Sequence, residues 1–275
     1  MFFTKYSCQG NDFVLYNSLS AADVLKFSTK QVEYLCDRKM GIGADGVLVL
    51  KDSTKADYRM VYYNADGHEV EMCGNGARAC VHAFSLIKKL APETKIKFET
   101  MNGLYGGCLH KNNEVSISMN EVGEINLEKT SDLNGYMQAK ASFFIKVGVP
   151  HVLFEVEDVQ GFELQKYAPK VRWDKRFPAG INVSVFSFSS SEEIQLRTFE
   201  RGVEGETLAC GTAATAIACV AKKKYQRSLP QQVNVAGGVL EIGFEEGNYQ
   251  LKGRVSEVFQ ANLSKASQAY LRELE

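Results

Sequence analysis

Two runs of this chain are apolar at almost every position, and each opens on a cysteine beside a glycine. Cys73-Gly74-Asn75-Gly76-Ala77-Arg78 leads into Ala79, Cys80, Val81, Ala83, Phe84, Leu86 and Ile87. Cys210-Gly211-Thr212-Ala213-Ala214 leads into Thr215, Ala216, Ile217, Ala218 and Val220. Small residues of good helix propensity predict a helix in both places, starting just after the cysteine. A helix that is apolar nearly all round has to be enclosed, and a curved sheet can enclose it. The two cysteines stand about half the chain apart, which predicts two related halves, each presenting a thiol at a helix start.

Elsewhere the pattern is mostly that of strands and turns. Phe3–Tyr6 and Phe13–Tyr16 read as strands joined by a turn at Gln9-Gly10-Asn11-Asp12. Residues 20–39 read as a helix with Ser20 as N-cap and Val24, Leu25, Val32 and Leu35 apolar. Gly41-Ile42-Gly43-Ala44-Asp45-Gly46 has the spacing of a dinucleotide fingerprint, but it follows a helix and enters the strand Val47–Leu50. That is the reverse of the order the fingerprint needs, so a tight helix-to-strand turn is the better reading. Tyr58–Tyr63 is a further strand, with a turn at Asn64-Ala65-Asp66-Gly67. Residues 94–120 contain alternating strands, with Val115, Ile117 and Met119 on one face. Residues 142–156 are an apolar run interrupted at Gly148-Val149-Pro150-His151. Leu164–Asp174 reads as a helix, and Asn182–Phe186 and Ile194–Phe199 as strands. Residues 232–260 predict two or three more strands, and the tail from about 262 a helix. The expected organisation is an N-terminal half, 1–120, and a C-terminal half, 121–261, with the tail 262–275 packed on the first.

Composition narrows the class. At 275 residues, 45% hydrophobic and 24% charged, this is ordinary globular material. A net charge of −1 gives no field for a polyanion, so nucleic acid is not an expected partner. Lys222-Lys223-Lys224 reads as a solvated helix end. No apolar stretch approaches a membrane span, and the first residues lack the apolar core of a signal peptide, so the expected location is the cytoplasm. Seven cysteines, an odd number, argue against a disulfide framework. No pair has C-x-x-C spacing, so a structural zinc site is not expected. Most of the seven read as small buried apolar residues; only Cys73 and Cys210 have a context that would make a thiol reactive.

A helix N-terminus carries unpaired N–H groups and a partial positive charge. It favours a thiolate and binds a small carboxylate. If two such starts face each other, one thiolate removes a proton from the carbon beside the carboxylate. The opposite thiol returns a proton to the other face, which inverts the stereocentre. Two other classes compete. A cysteine hydrolase would pair one cysteine with a base such as His151, and would leave the second cysteine unexplained. A carboxylate-binding module would explain the glycines and need no thiols.

Longer motifs carry a more specific signal. Cys73-Gly74-Asn75-Gly76-Ala77-Arg78 and the run Glu200-Arg201-Gly202-Val203-Glu204-Gly205-Glu206-Thr207-Leu208-Ala209-Cys210-Gly211-Thr212 resemble the two signatures of the diaminopimelate epimerase family. Gly10-Asn11-Asp12-Phe13, Gly41–Gly46, Asn64-Ala65-Asp66-Gly67, Pro150-His151 and Gly180-Ile181-Asn182-Val183 match it in order. The resemblance implies an α/β fold of two similar halves. Each half is a barrel-like, mostly antiparallel sheet around a central helix, with the active site in the cleft between them. It implies interconversion of LL- and meso-diaminopimelate without pyridoxal phosphate, metal or other cofactor, in lysine and peptidoglycan precursor synthesis; the sequence leaves the oligomeric state open, a homodimer being one expectation. Cys73 and Cys210 would be the acid–base pair, assisted by His151 and Glu200. Asn11, Asn64, Asn182, Glu200 and Arg201 match substrate-binding positions. Gly74, Asn75, Gly211 and Thr212 would hold the reacting carboxylate and amine. Taken singly, Asn64 is more often a turn residue, His151 a satisfied core histidine, and Glu200 with Arg201 a surface pair.

The chain also departs from the family pattern. Val149 stands where an asparagine is usual, Ser7-Cys8-Gln9 replaces the common His-Gly-Leu, and Ala213 replaces a glycine. The first puts strict recognition of the far end of diaminopimelate in question. It keeps open a racemase of the same mechanism acting on another amino acid, such as glutamate.

Overall fold

The computed structural model describes residues 1–20, 26–119, 122–188 and 193–274. It divides into two compact units, Met1–Ile117 with Gly253–Glu275, and Ser118–Lys252. In chain order the first stretch holds β1 (Phe2–Cys8), β2 (Asn11–Asn17), α1 (Thr29–Cys36), β3 (Gly46–Lys51), β4 (Tyr58–Asn64), β5 (Glu69–Val70), α2 (Gly74–Ile87), β6 (Lys95–Thr100), β7 (Gly103–Leu109) and β8 (Glu114–Met119). The second holds β9 (Ala141–Val147), β10 (Val149–Glu155), α3 (Leu164–Arg172), β11 (Asn182–Phe188), β12 (Glu193–Glu200), β13 (Gly205–Thr207), α4 (Gly211–Lys224), β14 (Gln231–Val235), β15 (Gly238–Glu245) and β16 (Asn248–Arg254). The chain then adds β17 (Ser256–Asn262), which pairs with β1, and α5 (Lys265–Glu273).

The two units repeat one pairing scheme. In the first, β1–β2 is antiparallel, β2–β3 parallel, β3–β4 antiparallel, β4–β6 parallel and β6–β7 antiparallel, with β5 antiparallel on β4. In the second, β9–β10, β10–β11, β11–β12, β12–β14 and β14–β15 follow the same sequence of senses, with β13 antiparallel on β12. The order strand–strand–helix–strand–strand–strand–helix–strand–strand is therefore present twice.

Strand alternation sorts the side chains. Val14, Val47, Val49, Val61 and Tyr63 pack with Val32 and Leu35 of α1 on one face. The alternate residues Phe13, Leu15, Leu48, Leu50 and Met60 are also buried, on the face that α2 covers. In the second unit Val152, Phe154, Val183, Val185 and Phe199 pack with Leu164, Ala168 and Val171 of α3. Their alternates face α4, whose residues Ala213–Ala221 are all buried. Both faces of each sheet are covered, which is why these strands read as continuous apolar runs.

Several boundaries differ from the sequence expectation. The first helix is capped at Ser28, not Ser20. The Ser28 hydroxyl accepts the Gln31 N–H at 3.2 Å and the Gln31 side chain accepts the Ser28 N–H at 2.9 Å, a full capping box. Val24 and Leu25 lie outside the described residues. The interruption at 148–151 is a single residue, Gly148, at φ +63, and Val149–His151 already belong to β10. Residues 232–260 carry four strands in place of two or three. In α5 the Leu271 carbonyl accepts the Gln31 side-chain amide at 2.8 Å, and Tyr270 stacks edge-on against Tyr34 at 5.0 Å. Lys222–Lys224 form the exposed last turn of α4, where cations complement the helix dipole.

Candidate active site

Each central helix starts at its cysteine. Cys73 is the extended N-cap of α2 (φ −127, ψ 120), and its carbonyl accepts the Ala77 N–H at 2.8 Å. Cys210 is the extended N-cap of α4 (φ −118, ψ 106), and its carbonyl accepts the Ala214 N–H at 3.0 Å. Neither thiol makes a standard capping bond to its own helix, though the Ala213 N–H lies near enough to the Cys210 thiol to favour its ionised form. The first-turn N–H groups, from Gly74 and Gly211 onward, therefore point out of the helix ends toward whatever lies beyond the thiol. None of the seven cysteines is joined in a disulfide.

Polar side chains collect around Cys73. Its Sγ lies 3.6 Å from Asn11 Oδ1, which also accepts the Asn75 amide at 3.2 Å. Asn11 in turn donates to Asp45 at 2.7 Å. Asp45 is held with Asp12 by Arg38, which reaches both carboxylates at 2.7–2.8 Å. Burial alone would raise the Asp12 carboxyl, but bonds from Arg38 and Lys5 outweigh it and bring it down to about 2. Asn75 is buried, and its Oδ1 accepts the Arg78 guanidinium at 2.7 Å. Asn64 ends β4, opposite Gly46. Its carbonyl accepts the Gly67 N–H at 2.9 Å, so it does begin the predicted turn. By strand parity it shares the α2 face with Asn11.

Around Cys210 the surroundings are more acidic and drier. Glu200 ends β12, and its carboxylate accepts the Thr207 hydroxyl. Burial raises the Glu200 carboxyl against the pull of Thr207 and Cys210. Burial, and next the Glu200 charge, pushes the Cys210 thiol well above the ordinary cysteine range, against a 3.3 Å contact with the Thr212 hydroxyl. Cys210 is therefore a protonated thiol here. Asn182 is buried, and its Oδ1 accepts the Arg201 N–H at 2.9 Å. The Arg201 guanidinium donates to the Ala179 carbonyl at 3.0 Å. His151 pairs with Asn182 in register and is completely buried. Both its ring nitrogens lack a hydrogen-bond partner among the described residues. Burial, with Arg201 nearby, depresses it to about 3, so the ring is neutral. Parity places His151, Asn182 and Glu200 on the face that α4 covers.

Three supporting groups were not singled out from sequence. Arg78 is fully buried and ties Asn75, the Gly74 carbonyl and the Gln9 side chain together. Thr207 holds Glu200, and Asp45 holds Asn11. All three lie inside the quoted motifs, but only the fold shows what they touch.

The sequence as a whole matches the family model described as diaminopimelate epimerase over residues 3–125 and 143–257. The chain belongs to the diaminopimelate epimerase family. It is 35% identical to the diaminopimelate epimerase of Flavobacterium psychrophilum over 94% of this chain and 98% of that one. It is 34% identical to that of Archaeoglobus fulgidus over 94% of each. Among solved structures, a Bacillus anthracis phenazine biosynthesis protein of the PhzF family shares the fold, with a TM-score of 0.71 at 13% identity over 96% of this chain and 99% of that one. The chain is thus an epimerase, a member of the isomerases.

The departures from the diaminopimelate epimerase pattern now have places. Gln9 accepts the Arg78 guanidinium through its side-chain oxygen and donates to the Arg254 carbonyl at 3.0 Å, so it braces the α2 end. Cys8, the preceding residue, is buried, and burial pushes its thiol up to about 12. Ala213 is fully buried in the first turn of α4. Val149 opens β10, facing Val147 across Gly148. Among the described residues no helix is long and apolar enough to cross a membrane.

Proposed function

We propose that this chain interconverts LL- and meso-diaminopimelate, with Cys73 and Cys210 as the two acid–base groups, in lysine and peptidoglycan precursor synthesis. One thiolate takes the α-proton. The charge left on the carbon spreads into the carboxylate, where first-turn N–H groups of a helix stabilise it. The other thiol gives its proton to the opposite face, and the configuration is inverted. Two thiols complete this without pyridoxal phosphate. Gly74, Asn75, Gly211 and Thr212 hold the reacting carboxylate and amine. Asn11, Asn64, Asn182 and Arg201 bind the remainder. Glu200 exchanges a proton with Cys210, and the neutral His151 keeps the Arg201 end free of added positive charge.

The observation that supports this best is the repeated placement. Each unit ends its strand layer at a cysteine in the N-cap position of its central helix, beside that helix's first-turn N–H groups. The test is LL-diaminopimelate in heavy water, followed by NMR at the α-carbon. Deuterium entering the α-position together with appearance of the meso form is expected. A chain that binds the substrate but exchanges no α-proton would sink the proposal.

Val149 favours a second reading, a wider substrate range. An apolar side chain cannot hydrogen-bond the polar far end of diaminopimelate, and a site without that bond rejects shorter analogues less strongly. Slow formation of D-glutamate from L-glutamate, read by chiral chromatography against Cys73→Ala, is the expected result. No D-glutamate above that control while diaminopimelate turns over would make Val149 neutral for specificity.

A further inference from the structure

Among the described residues one further cluster gathers a carboxylate, a thiol and an imidazole. The ligating atoms of Glu93, Cys108 and His110 all lie within 4.8 Å of one another. Glu93 Oε2 stands 2.8 Å from His110 Nδ1 and 3.8 Å from Cys108 Sγ. Ligand atoms around a tetrahedral zinc ion stand ~3.3–3.6 Å apart, given its usual bond lengths. Small side-chain adjustments would bring all three to that spacing.

The backbone holds these residues in place. Cys108 lies in β7, paired with Lys95 of β6 and Ser116 of β8. The Glu93 N–H donates to the Leu109 carbonyl at 2.8 Å, and the His110 N–H to the Glu114 carbonyl at 2.7 Å. The far ring nitrogen of His110 lies 2.8 Å from the Ser116 hydroxyl. That is the outer partner a metal-ligating histidine uses to fix its ring and tautomer. The cluster is separate from the cysteine segments. Gly107 faces α2 so closely that a Cβ there would meet Val81 at 2.5 Å, so alternation turns Cys108 to the opposite face of the sheet. Cys108 and His110 are half-buried and Glu93 is exposed, which leaves one side of the cluster open to water.

We propose that Glu93, Cys108 and His110 form a site for a divalent transition-metal ion of zinc's class, with a water as fourth ligand. Sulfur and nitrogen donors select such an ion over magnesium or calcium, which take oxygen. On binding, the thiol releases its proton to solvent. The imidazole offers Nδ1 and keeps its proton on Nε2, where Ser116 accepts it. The ion joins the turn before β6 to the end of β7 and the connection that follows it, a structural cross-link outside the proposed epimerase chemistry. The sequence concealed it because the three ligands lack C-x-x-C spacing and meet only through strand pairing.

The test is titration of the whole, reduced, chelator-stripped chain with Co2+, following the thiolate-to-cobalt charge-transfer absorption, with Zn2+ as competitor. One equivalent should bind, Zn2+ should displace it, and the melting temperature should rise with the ion. Cys108→Ser should abolish the band. His110→Ala should weaken binding at least ~10-fold, in the range seen when a metal site loses part of its support. Cys73→Ala and Cys210→Ala should leave the band intact. A band that survives Cys108→Ser, one lost in Cys73→Ala or Cys210→Ala, or no band at all in the folded wild-type chain would overturn the proposal. None of these readouts depends on epimerase activity.

Discussion

The two helix starts share a backbone and differ in what surrounds the thiol. At α2, Cys73 meets an amide, Asn11, in a network that ends on the buried Arg78. At α4, Cys210 meets a half-buried carboxyl group, Glu200, and a hydroxyl, Thr212. The fifth residue after each cysteine shows the contrast most simply. Arg78 and Thr215 both reach back to the carbonyl of the first helical residue, Gly74 at 3.4 Å and Gly211 at 3.0 Å. One brings a positive charge and the other none. A second contrast lies in register. Phe13 pairs with Gly46 in the first unit where His151 pairs with Asn182 in the second. One strand scheme thus carries an amide-and-cation end and an acid-and-imidazole end, an asymmetry that suits the opposite roles proposed for the two thiols.

The most severe way to break the comparison is to remove either thiol. Cys73→Ala and Cys210→Ala should each lower turnover by at least ~100-fold, the low end of what a positioned acid or base contributes. Near wild-type epimerisation in either variant would show that the two ends are not both used.

Acid titration separates the ends next. His151 sits at about 3 in the folded chain, against 6.5 for an unperturbed histidine. As pH falls, the unfolded chain takes up this proton first. The stability contributed by neutral His151 is whole above pH 6.5 and is lost as pH falls from 6.5 toward 3. The full loss is roughly 3–5 kcal/mol at 1.36 kcal/mol per unit. His151→Phe, which copies Phe13, should flatten that slope in urea unfolding between about pH 6.5 and 4. An unchanged slope would mean that other groups govern acid stability.

The fifth-residue pair gives a graded effect. Arg78→Met strands Asn75 and Gln9 in a buried network and should cost ~2–4 kcal/mol in chemical denaturation. Thr215→Val loses one neutral bond and should cost ~1 kcal/mol. Equal costs would show that the charge at Arg78 is immaterial to folding.

The mildest prediction concerns Glu200. The charge on Glu200 raises Cys210, so Glu200→Gln should let the thiol ionise at lower pH. Alkylation of Cys210, read by mass spectrometry across pH, should shift down while Cys73 stays put. Turnover should fall by ~10-fold if Glu200 handles a proton, below the usual range for a direct acid or base. An unmoved Cys210 profile would remove Glu200 from the account.

The sequence alone determined the two apolar helices, their cysteine starts and most of the strands. Those rest on local periodicity and on motifs contiguous in the chain, such as Met72–Ala79 and Glu200–Thr212. It also determined the family, since both signatures survive almost unbroken. Tertiary structure decided what periodicity does not encode. The first helix begins at Ser28 because Ser28 and Gln31 close a capping box, although Ser20 is an equally good residue type. The chain doubles back at Gly148 because only that residue there has a left-handed backbone. Gln9, Arg78 and Asn75 became one network, and Glu93, Cys108 and His110 one cluster, because strand pairing and helix packing bring distant positions within hydrogen-bond reach. Whether a side chain is buried beside a charge, as Cys210 is beside Glu200, depends on those long-range contacts, and so does its chemistry.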